Sequence, residues 1–180
     1  MWTTIAIVAV ILLYFVSVYN GLIARRTQVR EAWATIDTQL KRRYDLIPNL
    51  VNAVKGAAKH EKETLDAVIS ARNSAISANG VEDKSVAENQ LTGALKSIFA
   101  LAESYPTLRA NENFLDLQRE LIDTETKIQA ARQFYNTVVM SLNMSVQQFP
   151  TNLIANMFNI GTEKFFEINE SEKATPKVEF

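Results

Sequence analysis

Apolar and polar positions fall into three regimes along the chain. The first is continuous. From Trp2 to Ala24 no side chain is charged, and Ile5 to Phe15 is almost purely aliphatic. At about 1.5 Å per residue, some 20 apolar residues cross a ~30 Å hydrocarbon layer, so this stretch predicts a transmembrane helix. Trp2 at one end, and Tyr14 and Tyr19 towards the other, suit the two membrane–water interfaces. A cleaved signal peptide is the alternative. It needs basic residues before the apolar run and a small-residue cleavage site, and neither stands out here.

The second regime is helical, with apolar residues spaced alternately by four and three. Over residues 27–78 the stripe runs Val29, Trp33, Ile36, Leu40, Arg43, Ile47, Leu50, Val54, Ala57, Glu61, Thr64 and Val68. Pro48 lies inside it and predicts a kink, because the stripe keeps phase across it. Asn79-Gly80 is a stop signal, with a polar turn over 79–83. A second helix over 84–103 would bury Leu91, Leu95, Ile98 and Ala102. Tyr105-Pro106 breaks it, and Asn111 is the expected N-cap of the next. That third helix has the cleanest stripe: Phe114, Leu117, Leu121, Thr124, Ile128, Ala131, Tyr135, Val138, Leu142, Ser145 and Phe149. A run of about five heptads predicts a long antiparallel partner in a bundle. Pro150 ends it, a short helix over Thr151–Asn159 follows, and the charged tail from Thr162 reads as extended. The fold class is therefore all-α: an N-terminal transmembrane helix (1–24), a bundle of long antiparallel helices (25–162) and an extended tail (163–180).

The third regime overlaps the second. From Gln133 to Thr162 there is no charged residue. Exposed helix faces normally carry charge, and interface cores are depleted in it. Val139, Met140, Met144, Leu153, Met157 and Phe158 exceed what one stripe buries. They are the candidate contact surface, for further copies of the chain or for membrane lipid. A helix buried on several sides would show the same pattern. Whether this end of the third helix meets the bilayer depends on the direction taken after Tyr105-Pro106, which the pattern leaves open.

Composition excludes several function classes. Cysteine is absent, so there are no disulfides, thiolate chemistry or Cys metal sites. Nineteen basic residues against 20 acidic ones give a net charge of −1, against a nucleic-acid-binding role. Arg25, Arg26 and Arg30 follow the apolar span. The positive-inside rule then puts the N-terminus outside and the helical domain in the cytoplasm, with the chain single-pass in a bacterial inner membrane. Lys41-Arg42-Arg43 resembles a lipid-binding cluster, but a straight helix carries it beyond the reach of headgroup charge. Arg43 falls on the buried stripe and implies a structural ion pair, with Asp37, Asp45 or an acid from another helix as partner; Asp45 is the nearest in sequence. The single histidine, His60, beside Glu61, cannot make a metal site alone. Glu103, Glu112, Glu120, Asp123 and Glu125 read as solvated faces, since the Glu-x-x-His of bundle di-metal sites is missing. No Gly-rich phosphate loop or nucleophile triad is present. No cofactor is expected, and no enzymatic activity. The terminal 176–180 alternation would suit docking as a strand, or a loose end.

Several segments together also resemble a known family. They are Tyr19-Asn20-Gly21-Leu22, Ala32-Trp33, Ile36-Asp37, Gln39-Leu40-Lys41-Arg42-Arg43, Asp45-Leu46-Ile47-Pro48-Asn49-Leu50-Val51, Val54-Lys55-Gly56, Glu103-Ser104-Tyr105-Pro106, Ala110-Asn111-Glu112-Asn113-Phe114, Arg132-Gln133-Phe134-Tyr135-Asn136 and Phe149-Pro150. In this order they resemble the LemA family from about residue 19 to 178. The resemblance implies a membrane anchor, an all-α domain of long antiparallel helices and no catalytic residues. One departure is the neutral Val138-Val139-Met140-Ser141-Leu142, where that family usually shows charge. Two functions remain in view: a scaffold that self-associates to organise or remodel a bacterial membrane, or an adaptor that binds another envelope protein through the neutral face.

Overall fold

The computed structural model describes residues 1–58 and 61–166, and these are all-α. Six helices follow in order: α1 (Trp2–Ala57), α2 (Lys62–Ser77), α3 (Gly80–Glu103), α4 (Pro106–Arg109), α5 (Glu112–Gln147) and α6 (Thr151–Met157). His60 and the expected strand-like end at 176–180 lie outside the described residues.

α1 continues through the expected boundary at Ala24 and Arg25 without a break. Its apolar stretch is the one candidate membrane span among the described residues. Pro48 is also inside α1. Proline has no N–H to give the carbonyl four residues back, here that of Tyr44. Arg72 Nε, on α2, donates to that carbonyl at 2.8 Å instead. The helix therefore passes the proline with the carbonyl satisfied.

The expected helix over 27–78 is two helices, α1 ending at Ala57 and α2 beginning at Lys62, and neither boundary is at Pro48. Gly56 weakens the end of α1. The buried positions then change phase: Ala58, Leu65 and Val68 are buried, whereas Glu61 and Thr64 are half-exposed. α2 and α3 form a helical hairpin closed at Ala78 and Asn79. α3 begins at Gly80, earlier than the polar turn suggested. Gly80 supplies a φ of +80°, which only glycine adopts without strain. Glu82 and Asp83 in the first turn complement the positive end of the helix dipole. After α4, Asn111 caps α5 as expected: its Oδ1 accepts from the Phe114 N–H at 3.2 Å.

Two compact units are distinguished. One comprises 1–36 with 131–165, and the other 37–130 with Phe166. In each, α1 and α5 run antiparallel. Trp33 meets Tyr135 edge-on in the first unit, with ring centroids 5.5 Å apart. In the second, Arg42 meets Asp123 at 3.5 Å, and Asn49 and Asn52 line a cleft with Asp116 and Asn113.

Candidate functional site

Two assemblies of side chains stand out, one buried and polar, the other exposed and neutral. The buried one lies in the second unit around Arg43, which is fully buried. Its Nη2 donates to Glu88 of α3, and its Nη1 donates to Glu125 of α5 and to Thr92 Oγ1 at 3.1 Å. The Tyr44 hydroxyl donates to the other Glu88 oxygen. The group ties α1, α3 and α5 together. A buried ion set of this kind fixes register, because any slip leaves a charge unpaired. An apolar cleft of about 200 Å³ opens beside it, between Leu95, Phe99, Leu121 and Ile122. It is smaller than the roughly 300–1,000 Å³ typical of small-molecule sites.

Asp45 takes no part in this set. It is exposed, as is Asp37, and the ion pair expected between Arg43 and Asp45 is replaced by pairs to Glu88 and Glu125. Neighbours in helical sequence face different sides, so only acids from facing helices reach the buried guanidinium. Glu125 is accordingly no solvated face. Glu88 was hidden among the polar residues of α3, and its one signal was its position three before Leu91, on the apolar stripe.

The neutral assembly lies in the first unit. Beyond Arg132, which is buried, α5 carries no charge. Its outer face is Gln133, Phe134, Thr137, Met140, Ser141 and Met144, all exposed. α6 follows with Leu153 and Met157 some 60% and 61% exposed, four residues apart on one face. Phe158 packs its inner side against Tyr19 and Phe15 of α1, with centroids 4.5 and 6.0 Å away. The charge-free end of α5 therefore runs back to the apolar stretch of α1, the direction the sequence left open.

Beyond α6 the chain returns along α5. Asn143 grips it at two points: its Nδ2 donates to the Glu163 carbonyl at 2.9 Å, and its Oδ1 accepts from the Glu163 N–H at 2.8 Å. The Tyr135 hydroxyl donates to the Lys164 carbonyl at 3.0 Å. Burial, and secondarily the nearby Glu163 carboxylate, push the Tyr135 phenol up to about 12, so it stays neutral and donating.

Of the six candidate contact residues, Met140, Met144, Leu153, Met157 and Phe158 are exposed. Val139 is not: it is fully buried, and Val138 is half-exposed. Leu142 and Ser145 stay buried on the expected count, so the stripe holds. At about 3.6 residues per turn Val139, four beyond Tyr135, lies nearer that inward side than Val138 does. Phe149, expected in the stripe, is 79% exposed because α5 ends at Gln147. Among the described residues no group of acids or histidines is arranged to hold a metal.

A model of the LemA family matches residues 32–180. The chain belongs to the LemA family. Protein LemA of Metamycoplasma hominis is 28% identical over 167 residues, which cover 89% of this chain and 74% of that protein. Magnetosome protein MamQ 2 of Paramagnetospirillum magneticum is 24% identical over 81 residues, covering 45% of this chain and 30% of its own length. Magnetosome protein MamQ of Magnetospirillum gryphiswaldense is 22% identical over 80 residues, covering 44% and 29%. The LemA-family match begins at Ala32, after the apolar stretch.

Proposed function

We propose that this LemA-family chain is a non-enzymatic, membrane-anchored scaffold whose copies associate side by side and so organise or remodel a bacterial membrane. The observation that carries the reading is the outer face of α5 from Gln133 to Met144, which exposes Met140 and Met144 without one charge. A helix face meant for water alone would carry charge. Anchoring confines copies to one plane and raises their effective concentration, so a modest face suffices to join them. Arg25, Arg26 and Arg30 favour a single-pass arrangement with the helical domain on the cytoplasmic side of the inner membrane. The carboxylates buried near Arg43 are engaged by that arginine and Tyr44, which argues against their use on a substrate. None of the relatives named above carries an enzyme's name.

Light scattering after size exclusion in mild detergent tests this. The full-length protein is expected as a multiple of the chain mass, and M140E/M144E as a single copy with an unchanged helical melting curve. A wild-type monomer at every concentration overturns self-association. Co-purification of one foreign envelope protein at a fixed ratio, lost in the same double variant, would instead assign the face to an adaptor.

A further inference from the structure

We propose that α6, with Phe149 and Phe158 at its ends, is sunk in the headgroup–acyl boundary of the bilayer as a wedge beside α1. This shares with the preceding reading only the membrane anchor, and it assigns α6 to lipid rather than to a second copy.

The argument begins with where charge resumes. On α1 the first charged residue is Arg25. After α6 it is Glu163. Trp33 faces Tyr135 across the antiparallel pair. Arg25 lies eight residues before Trp33, and Asn143 eight past Tyr135. Both helices rise at about 1.5 Å per residue, so Asn143 is near the level of Arg25. Asn143 holds the Glu163 backbone. The two strands of chain thus regain charge at one height, and that height marks the membrane surface.

The rest follows from distance. Tyr19 and Phe15 lie ~9 and ~15 Å along α1 on the apolar side of Arg25. A ~30 Å hydrocarbon layer takes about 20 residues; counted back from Ala24 that reaches Ile5, with Phe15 and Tyr19 inside it. Phe158 packs on both. Interfacial helices bury their apolar face ~5–10 Å into this zone, and α6, which ends on Phe158, turns Leu153 and Met157 outward.

The backbone of α6 is built for scarce water. Pro150, its N-cap, has no N–H to satisfy. At the other end a Schellman turn closes the helix: Asn159 takes the left-handed conformation at φ 51°, the Ile160 N–H reaches the Ala155 carbonyl at 2.9 Å, and the Asn159 N–H reaches Asn156 at 3.2 Å. Backbone groups in lipid must find partners within the protein. Ile160 is buried beneath the turn.

The chain has no cysteine, so single cysteines can carry a nitroxide without background. Full-length protein bearing L153C or M157C is placed in phosphatidylcholine–phosphatidylglycerol vesicles. L12C, in the span, serves as lipid reference and E31C as water reference. Collision with oxygen reports lipid, and collision with a nickel chelate reports water. The expected result is an oxygen-to-nickel ratio at 153 and 157 severalfold above that at 31 and below that at 12, as a shallow site requires. A ratio like that at 31 overturns the proposal. So does low collision with both probes, which means protein covers α6. The same measurement in M140E/M144E keeps the two readings apart: loss of self-association there with unchanged ratios supports both, and a monomeric wild type with high ratios removes the scaffold and supports the wedge.

Discussion

The two halves of α5 bury matching stripes and present opposite outer faces. From Glu112 to Ala130 the exposed positions include Glu112, Asp116, Arg119, Glu120, Asp123 and Lys127. From Ala131 to Gln147 they include Gln133, Thr137, Met140, Met144 and Gln147, with no charge. The inward residues differ little in kind, since Leu121 and Ile128 in one half answer to Val139 and Leu142 in the other. The stripe therefore decides that α5 is a long bundle helix, and the outer face decides what surrounds it. Charge marks the half that meets water, and its absence marks the half placed beside the apolar stretch of α1.

Where charge turns inward, in the first of these halves, its loss should cost most. Glu88→Ala leaves Arg43 buried with one carboxylate fewer, and a drop of about 3–5 kcal/mol is expected in denaturant unfolding followed by circular dichroism. The paired change Arg43→Met with Glu88→Leu should cost less than Glu88→Ala alone, because it removes the stranded charge as well. An equal or greater loss in the pair would show that the ions themselves stabilise the fold. In the neutral half the comparable element is Asn143. Asn143→Ala forfeits two hydrogen bonds to the returning chain, each worth about 0.5–1.5 kcal/mol. Hydrogen exchange should quicken at Glu163 while α5 keeps its protection; unchanged exchange would mean other contacts hold the segment. Asp123→Asn should matter least. Its hydrogen bond to Lys127, aided by the Lys127 and Arg42 charges, holds the carboxyl below its ordinary range. A lowered carboxyl adds stability above its ordinary pKa and loses it as pH falls through the lowered value. The small gap between wild type and variant should thus be present at neutral pH, close in acid, and shrink in 1 M salt, where screening acts over about 3 Å. A gap that survives acid would point to packing rather than charge.

Much of this was legible in order along the chain. The stripe of α5, its Asn111 cap and the apolar span of α1 depend on local spacing, and local spacing is what a sequence displays. The facing partners depend on distant segments. Arg43 could be placed inside from its position alone, but Glu88 and Glu125 could be assigned to it only once α3 and α5 were set against α1. The break after Ala57 was masked because Glu61, Thr64 and Val68 continue the count on paper while the chain changes phase. Val139 is a local exception: it lies four residues beyond Tyr135 and three before Leu142, so it shares their inward side, while alternating four-and-three spacing picks Val138 in its place.

The continuity of α1 has a mechanical consequence. No hinge separates Ile5 from Ile36, and the α5–α6 packing is fastened to that one rigid stretch through Trp33, Tyr19 and Phe15. A span longer than the local hydrocarbon thickness adjusts by tilting. Here it cannot tilt alone, because α6 and the end of α5 must swing with it. In the membrane-anchored arrangement proposed above, bilayer thickness becomes an input that sets the angle at which this first unit stands.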